Sequence, residues 1–94
     1  MVTVIDDITE RLAGTPEIER VVLFGSRARA DHDPRSDIDL AIECPKASRE
    51  QWQRIRDKIE ATRTLLFIDV VRLDTAPESF RTKVNEEGVV LYER

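Results

Sequence analysis

The sequence has little of several residue types that would indicate particular classes of protein. Of its 94 residues only Cys44 is a cysteine, which excludes an internal disulfide and a cysteine metal cluster. A single thiol fits a reducing compartment. No apolar run approaches the roughly 18 residues that a membrane span requires, and the acidic N-terminal stretch "MVTVIDDITERLAG" is unlike a signal peptide. We therefore expect a cytoplasmic protein without a membrane partner.

An excess of positive charge is also missing. The chain carries 15 Lys and Arg residues against 19 Asp and Glu residues, a formal net charge of −4. Proteins that hold nucleic acid by its phosphates usually show a basic balance or a basic patch, so no direct nucleic-acid binding is expected. An anionic substrate such as a nucleotide would need metal ions or local arginines. Length and composition predict one folded domain over residues 1–94.

The hydrophobic pattern predicts alternating helices and strands. Ile5, Ile8 and Leu12 recur at helical spacing and predict a helix over 3–13. A capping box at Ser48 and Gln51 predicts a second helix of about 15 residues, and further helical segments are expected over 26–30 and from Thr75 and Pro77 to Gly88. Short apolar, β-branched runs predict strands over 18–25, 37–43, 65–73 and 89–93. This order is typical of an α/β (α+β) domain with a small mixed or parallel sheet flanked by helices.

The stretch "VVLFGSRARADHDPRSDIDLAI", residues 21–42, carries the chemistry. Gly25 ends an apolar strand and allows a sharp turn with close approach of a ligand. Ser26 then opens a helical turn, whose free N–H groups bind phosphate oxygens well. Arg27 and Arg29 could contact the oxygens of a triphosphate, or they could lie on a solvated helix face. The Gly-Ser turn alone is a weak signal.

Three aspartates make the prediction of a nucleotide site more specific. Asp37 and Asp39 alternate along one strand, so both point to one face with Cα atoms about 6–7 Å apart. Asp69 is the acidic residue inside the next apolar run, "LLFIDVV". If the two strands are neighbours, the carboxylates form a cluster that can hold two Mg²⁺ ions for an in-line phosphoryl displacement. The alternatives are a solvated strand face for Asp37 and Asp39, and an ion pair with Arg72 for Asp69.

The segment "GSRARADHDPRSDIDL", followed by the lone Asp69, resembles the signature of the DNA-polymerase-β-like nucleotidyltransferase superfamily. It is most similar to the minimal nucleotidyltransferases, and the resemblance runs from about Thr15 to Arg94. One position departs from the family pattern, because Ala30 stands where glycine is common. A glycine there could cap the short helix in a left-handed conformation, so a local adjustment of the loop is expected.

The resemblance implies a fold, a reaction and a partner. Gly25 and Ser26 would hold the phosphates of ATP, and Asp37 and Asp39 would bind two Mg²⁺ ions. Asp69 would share one ion and help to deprotonate an acceptor hydroxyl. Small members of this family often act as antitoxins that transfer AMP to a tyrosine of a HEPN-type toxin. Two other functions stay open: a domain that neutralises its partner by binding alone, and a nucleotidyltransferase acting on small molecules.

Overall fold

The described helices and strands follow one another in the predicted order. The computed structural model describes residues 4–25, 37–62 and 67–94, so the predicted helical turn over 26–30 lies outside the described residues. The elements are α1 (Val4–Ala13), β1 (Arg20–Phe24), β2 (Ile38–Glu43), α2 (Arg49–Glu60), β3 (Ile68–Arg72), a 3₁₀ turn (Leu73–Thr75), α3 (Glu78–Glu87) and β4 (Val89–Glu93). No helix among these residues is both long enough and apolar enough to cross a bilayer.

The four strands form one mixed sheet in the order β3-β2-β1-β4. Strands β2 and β3 are parallel, whereas β1 runs antiparallel to both β2 and β4. Because of these directions, the C-terminal end of β1 lies at the same end of the sheet as the N-terminal ends of β2 and β3. The neighbouring strands on which the predicted carboxylate cluster depends are therefore present.

Local signals fix where the helices begin and end. The predicted capping box is confirmed, because the Gln51 amide donates to Ser48 Oγ at 3.1 Å and the Ser48 amide donates to Gln51 Oε1 at 2.8 Å. Helix α2 spans 12 residues rather than about 15. Helix α3 has Pro77 at its N-cap and Gly88 at its C-cap. The third strand ends at Arg72, earlier than predicted.

The early end of β3 has a visible cause. Leu73 is buried, with 1% of its surface exposed. The carboxylate of the next residue, Asp74, contacts the chain just after β2. Its Oδ1 accepts the Cys44 amide at 2.9 Å, while its Oδ2 pairs with Arg72 Nε at 3.0 Å. Arg72 also donates to the carbonyls of Cys44 and Ala47. This network, here called the Arg72–Asp74 latch, ties the end of β3 to the end of β2.

The main core lies under α1 and α2. Their apolar stripes pack on the face of the sheet formed by alternate residues of β1 and β2, among them Val21, Leu23 and Leu40. Burial of this face supplies most of the apolar area removed from water, at roughly 25 cal/mol per Å². Trp52 packs against the same core while staying partly exposed.

A second, smaller core covers the opposite face of the sheet. It consists of Val22, Ala41, Leu73 and Val84, with Phe24 and Phe80 packed against it. The two phenylalanine rings meet edge to face, with centroids 5.4 Å apart. Alternation in "DIDLAIE" predicts that Ala41 faces solvent or the site, but α3 and the 3₁₀ turn bury it completely. The end of this face that carries the aspartates stays open, since Asp69 is exposed.

Candidate active site

The three predicted aspartates gather at one end of the sheet. Asp39 of β2 and Asp69 of β3 are direct register partners in the parallel ladder. Neighbouring strands are about 4.8 Å apart, and paired residues point to the same face. Asp37 lies immediately before β2, and its negative charge acts on the Asp39 carboxyl. The strand pairing thus brings Asp39 and Asp69 together.

The Asp39 carboxyl lies in the field of the other two aspartates. Burial raises the pKa of the Asp39 carboxyl above its ordinary value, and the negative charges of Asp69 and Asp37 raise it further. Like charges held close together disfavour ionisation unless a cation lies between them. The ligand-free site is therefore electrostatically unfavourable in its ionised form, and a bound cation would relieve the repulsion.

The alternative reading of Asp69 as an ion-pair partner of Arg72 does not fit the structure. Residues three apart on a strand point to opposite faces. Arg72 points to the other side and is engaged in the Arg72–Asp74 latch. Asp69 itself is exposed at the open end of the face. Its position suits a group that acts on a ligand rather than one that stabilises the core.

Gly25 brings the backbone after β1 into direct contact with this cluster. Its φ is +76°, a region that side chains of L residues rarely adopt. A Cβ at this position would lie 2.3 Å from Asp39 Oδ2 and 3.1 Å from its Cγ. Glycine is therefore required for both reasons: the turn needs the left-handed conformation, and the Asp39 carboxylate occupies the space of a side chain.

The donor set suits a hard cation that a substrate helps to hold. Within the described stretches, which include Asp37, Asp39 and Asp69, no group of three or more His, Cys, Asp or Glu side chains is placed to hold a metal ion. Mg²⁺ is usually bound by one or two carboxylates, with water and substrate phosphates completing the octahedron. Neighbouring carboxylates with mutual repulsion, as at Asp39, fit that arrangement.

Three of the predicted nucleotide-binding residues, Ser26, Arg27 and Arg29, lie outside the described residues, as does Ala30. The remaining one, Gly25, borders a pocket of about 210 Å³ on the side of α3. Phe24, Phe80 and Lys83 line it as well. Lys83 is thus a cationic side chain beside the candidate site that sequence reasoning missed. No local signal marks it, because its position depends on how α3 packs against β1.

The lone cysteine belongs to the scaffold. Cys44 is completely buried, as its position at a strand end predicts. Burial raises the pKa of its thiol to about 11, and the nearby charge of Asp74 contributes to the rise. A thiol that stays protonated and lies within the main core is a poor nucleophile.

Comparisons with known proteins identify the family of this chain. The chain matches the family described as "Polymerase beta, Nucleotidyltransferase" over residues 6–94. A relative from Methanocaldococcus jannaschii, provisionally named a protein adenylyltransferase, is 32% identical over 77 residues. The matched segment covers 78% of this chain and 78% of the relative.

Several solved structures share the fold. A toxin–antitoxin complex with AMP-PNP matches with a TM-score of 0.75 and 22% identity, covering 96% of this chain and 73% of that one. A complex of tri-AMPylated Shewanella oneidensis HEPN toxin with MNT antitoxin matches with a TM-score of 0.70 and 20% identity, covering 97% of this chain and 71% of that one. A provisionally named nucleotidyltransferase from Sulfolobus solfataricus matches with a TM-score of 0.65 and 24% identity, covering 100% of this chain and 81% of that one.

The chain belongs to the polymerase-β nucleotidyltransferase family, since the family match extends over nearly all of its residues. The resemblance seen in the sequence is thereby confirmed, as is the predicted mixed sheet flanked by helices. Its class of activity is nucleotidyl transfer.

Proposed function

We propose that this protein transfers AMP from ATP to a hydroxyl group, on a tyrosine, of a HEPN-type partner toxin, and so acts as an antitoxin. The name of the Methanocaldococcus jannaschii relative supports a protein as acceptor. Complexes of similarly folded proteins with an AMPylated HEPN toxin and with AMP-PNP support the partner and the nucleotide. The observation that carries the proposal is the pairing of Asp39 with Asp69 beside Gly25.

Each aspartate has a role in this reaction that follows from its place. Asp37 and Asp39 would hold two Mg²⁺ ions, and Asp69 would share one of them. When bound, the ions supply positive charge that offsets the developing charge on the phosphate oxygens. Asp69 lies on the outermost of the strands that carry the acids, so it is the one best placed to meet an incoming hydroxyl.

The transfer itself is an in-line displacement. The acceptor oxygen forms a bond to the α-phosphorus of ATP, and the bond from that phosphorus to the oxygen bridging to the β-phosphate breaks. The hydroxyl proton passes to the Asp69 carboxylate, and pyrophosphate leaves. The turn at Gly25 and Ser26, with Arg27 and Arg29, would hold the leaving phosphates. The protein's main contribution is positioning and charge stabilisation, which dominate catalysis of phosphoryl transfer.

A direct assay tests this proposal. The purified protein is incubated with ATP, Mg²⁺ and the product of the adjacent gene as the candidate partner, and the intact mass of that partner is then measured. We expect a gain equal to one or more AMP groups, lost when Asp39→Asn is used and retained with Asp57→Asn. Asp57 is a matched control because it is an exposed aspartate on α2, away from the site.

Other outcomes favour the other functions. If the partner gains no mass but is still inhibited, and inhibition survives both Asp37→Asn and Asp39→Asn, the protein acts by binding alone. If an amino sugar gains the nucleotide and the partner does not, the acceptor is a small molecule. Either result would refute AMP transfer to a protein.

A further inference from the structure

The outer edge of β3 is the feature that the proposed reaction leaves without a role. β3 is the edge strand next to β2, and an edge strand presents backbone groups that can pair with another chain. The Phe67 carbonyl accepts the Ile38 amide at 2.9 Å, so Phe67 faces β2. Backbone groups alternate in direction along a strand. The N–H and C=O groups of Ile68 and Val70 therefore point away from the sheet.

A groove follows this edge. It has a volume of about 530 Å³ and lies between α2 on one side and the 3₁₀ turn and α3 on the other. Most of its lining is apolar, and two residues are cationic. The lining residues are Trp52, Val70, Val71, Thr75, Ala76, Pro77 and Phe80, with the cations Arg56 and Arg72. Because consecutive residues of β3 line it, the opening follows the strand's backbone rather than one face of the sheet. An extended segment of about five residues, roughly 16 Å long, would match the length of β3.

The charges of the groove specify what it would bind. Among its lining residues Arg56 and Arg72 are the charged ones, and the Arg72–Asp74 latch already neutralises Arg72. Arg56 is exposed. In a chain with a net charge of −4, this makes the groove locally positive, and an acidic side chain would complement it. Trp52 and Phe80 offer apolar surface to a neighbouring aromatic or aliphatic side chain.

The groove is continuous with the candidate active site. Asp69 comes directly before Val70 on the same strand. Phe67, at the start of this edge, is 64% exposed, although it is a large apolar residue. A strand added to β3 would pass within about 4.8 Å of the backbone at Asp69.

We propose that the outer edge of β3 binds an extended segment of the acceptor protein as a fifth strand. An acidic side chain of that segment lies against Arg56, and its acceptor hydroxyl lies beside Asp69. The inference rests on the proposed function, whose substrate class it specifies: a hydroxyl in an extended, acidic segment. A second copy of this chain is the competing occupant, and the hydrogen-exchange measurement below distinguishes the two.

Charge reversal tests the groove. With the partner identified in the mass assay as acceptor, Arg56→Glu should raise the acceptor's KM and its Kd at least fivefold while the KM for ATP and the melting temperature stay unchanged. Arg54→Glu is the matched control: it makes the same change at another exposed arginine of α2, beside a different pocket. The proposal would be overturned if both variants raised the acceptor's KM and Kd equally, or if Arg56→Glu left them unchanged.

Hydrogen exchange tests strand addition itself. In the complex with that acceptor, the outward amide of Val70 should exchange at least tenfold more slowly than in the free protein. The amide of Val71, which faces β2, is the internal reference and should change little. An unchanged Val70 amide would overturn the proposal, and so would protection of Val70 in the free protein by self-association through β3.

The groove and the reaction can fail separately. AMP transfer that proceeds without any dependence on Arg56 or protection of Val70 would reject the groove and leave the function intact. A complex that depends on Arg56 and protects Val70, but in which no AMP is transferred, would reject the function and leave the groove. If the acceptor neither binds nor gains AMP, both are rejected.

Discussion

Gly25→Ala gives the sharpest test of the site's geometry. The glycine has φ of +76°, and an added Cβ would lie 2.3 Å from Asp39 Oδ2. A normal van der Waals contact begins near 3.4 Å, so the carboxylate has to retreat by about 1 Å. The variant thus moves a proposed metal ligand without changing any charge in the cluster.

Two costs determine how much stability the variant loses. An L residue in the left-handed region costs about 1–2 kcal/mol. Pushing the Asp39 side chain off its rotamer adds about 0.5–1.5 kcal/mol. We therefore expect a loss of roughly 2–3 kcal/mol, which lowers Tm by about 10 °C or more in a domain of this size. Catalysis should suffer more, because a displacement of about 1 Å in a catalytic group can cost on the order of 10²-fold in rate.

The assay compares AMP transfer and thermal unfolding for Gly25→Ala and Gly14→Ala. Gly14 follows α1 and has no atom within 4 Å of its would-be Cβ, so alanine there should leave both measurements nearly unchanged. Transfer is measured well below the Tm of the weaker variant, so that unfolding does not account for lost activity. If Gly25→Ala keeps a rate within threefold of the parent, the contact with Asp39 does not control catalysis and the reasoning is refuted.

Three further predictions concern charge and burial. Asp39→Asn should raise the Tm of the metal-free protein at pH 7. Folding raises the pKa of the Asp39 carboxyl, so the stability of the parent protein falls as the pH rises from about 4, and asparagine removes this loss. Thermal melts over a pH series in which the Asn variant has the lower Tm at pH 7 would contradict this. Cys44, buried with a pKa of about 11, should resist thiol reagents at pH 8 until the protein unfolds; rapid labelling of native protein would disprove it. Arg72→Met should lower the free energy of unfolding in urea by about 3 kcal/mol, because it leaves Asp74 without its cation in a partly buried site. Arg81→Met, on the exposed side of α3, is the control. Equal losses of stability in the two variants would refute the role of the latch.

Local sequence signals were sufficient to predict most of the elements. The capping residues of α2, the glycine after α3 and the alternation of β2 each depend on neighbours within a few positions, so they can be read directly from the chain. The three aspartates were also predictable as candidates, because acids within apolar strands need a reason to be there. Their pairing was conditional on β2 and β3 being neighbours, which no local pattern determines.

Contacts between distant segments could not be predicted. Burial of Ala41 depends on α3 crossing the second face of the sheet, and the presence of Lys83 beside Gly25 depends on the same packing. The early end of β3 results from the Arg72–Asp74 latch, whose partners come from β2, β3 and the 3₁₀ turn. Tertiary contacts override the strand propensity of Leu73 in this case.

The position of the site follows from how the two faces of the sheet are covered. Helices α1 and α2 cover most of one face, whereas α3 covers the part of the other face above Val22 and Ala41. A wider cover would bury the neighbouring carboxylates of Asp39 and Asp69, at a large desolvation cost for charged groups. The end that carries the acids is thus the place where the fold keeps them accessible. Since the outer edge of β3 borders an open groove, the proposed acceptor can approach Asp69 from that side, and filling the groove should reduce AMP transfer although the acids remain in place.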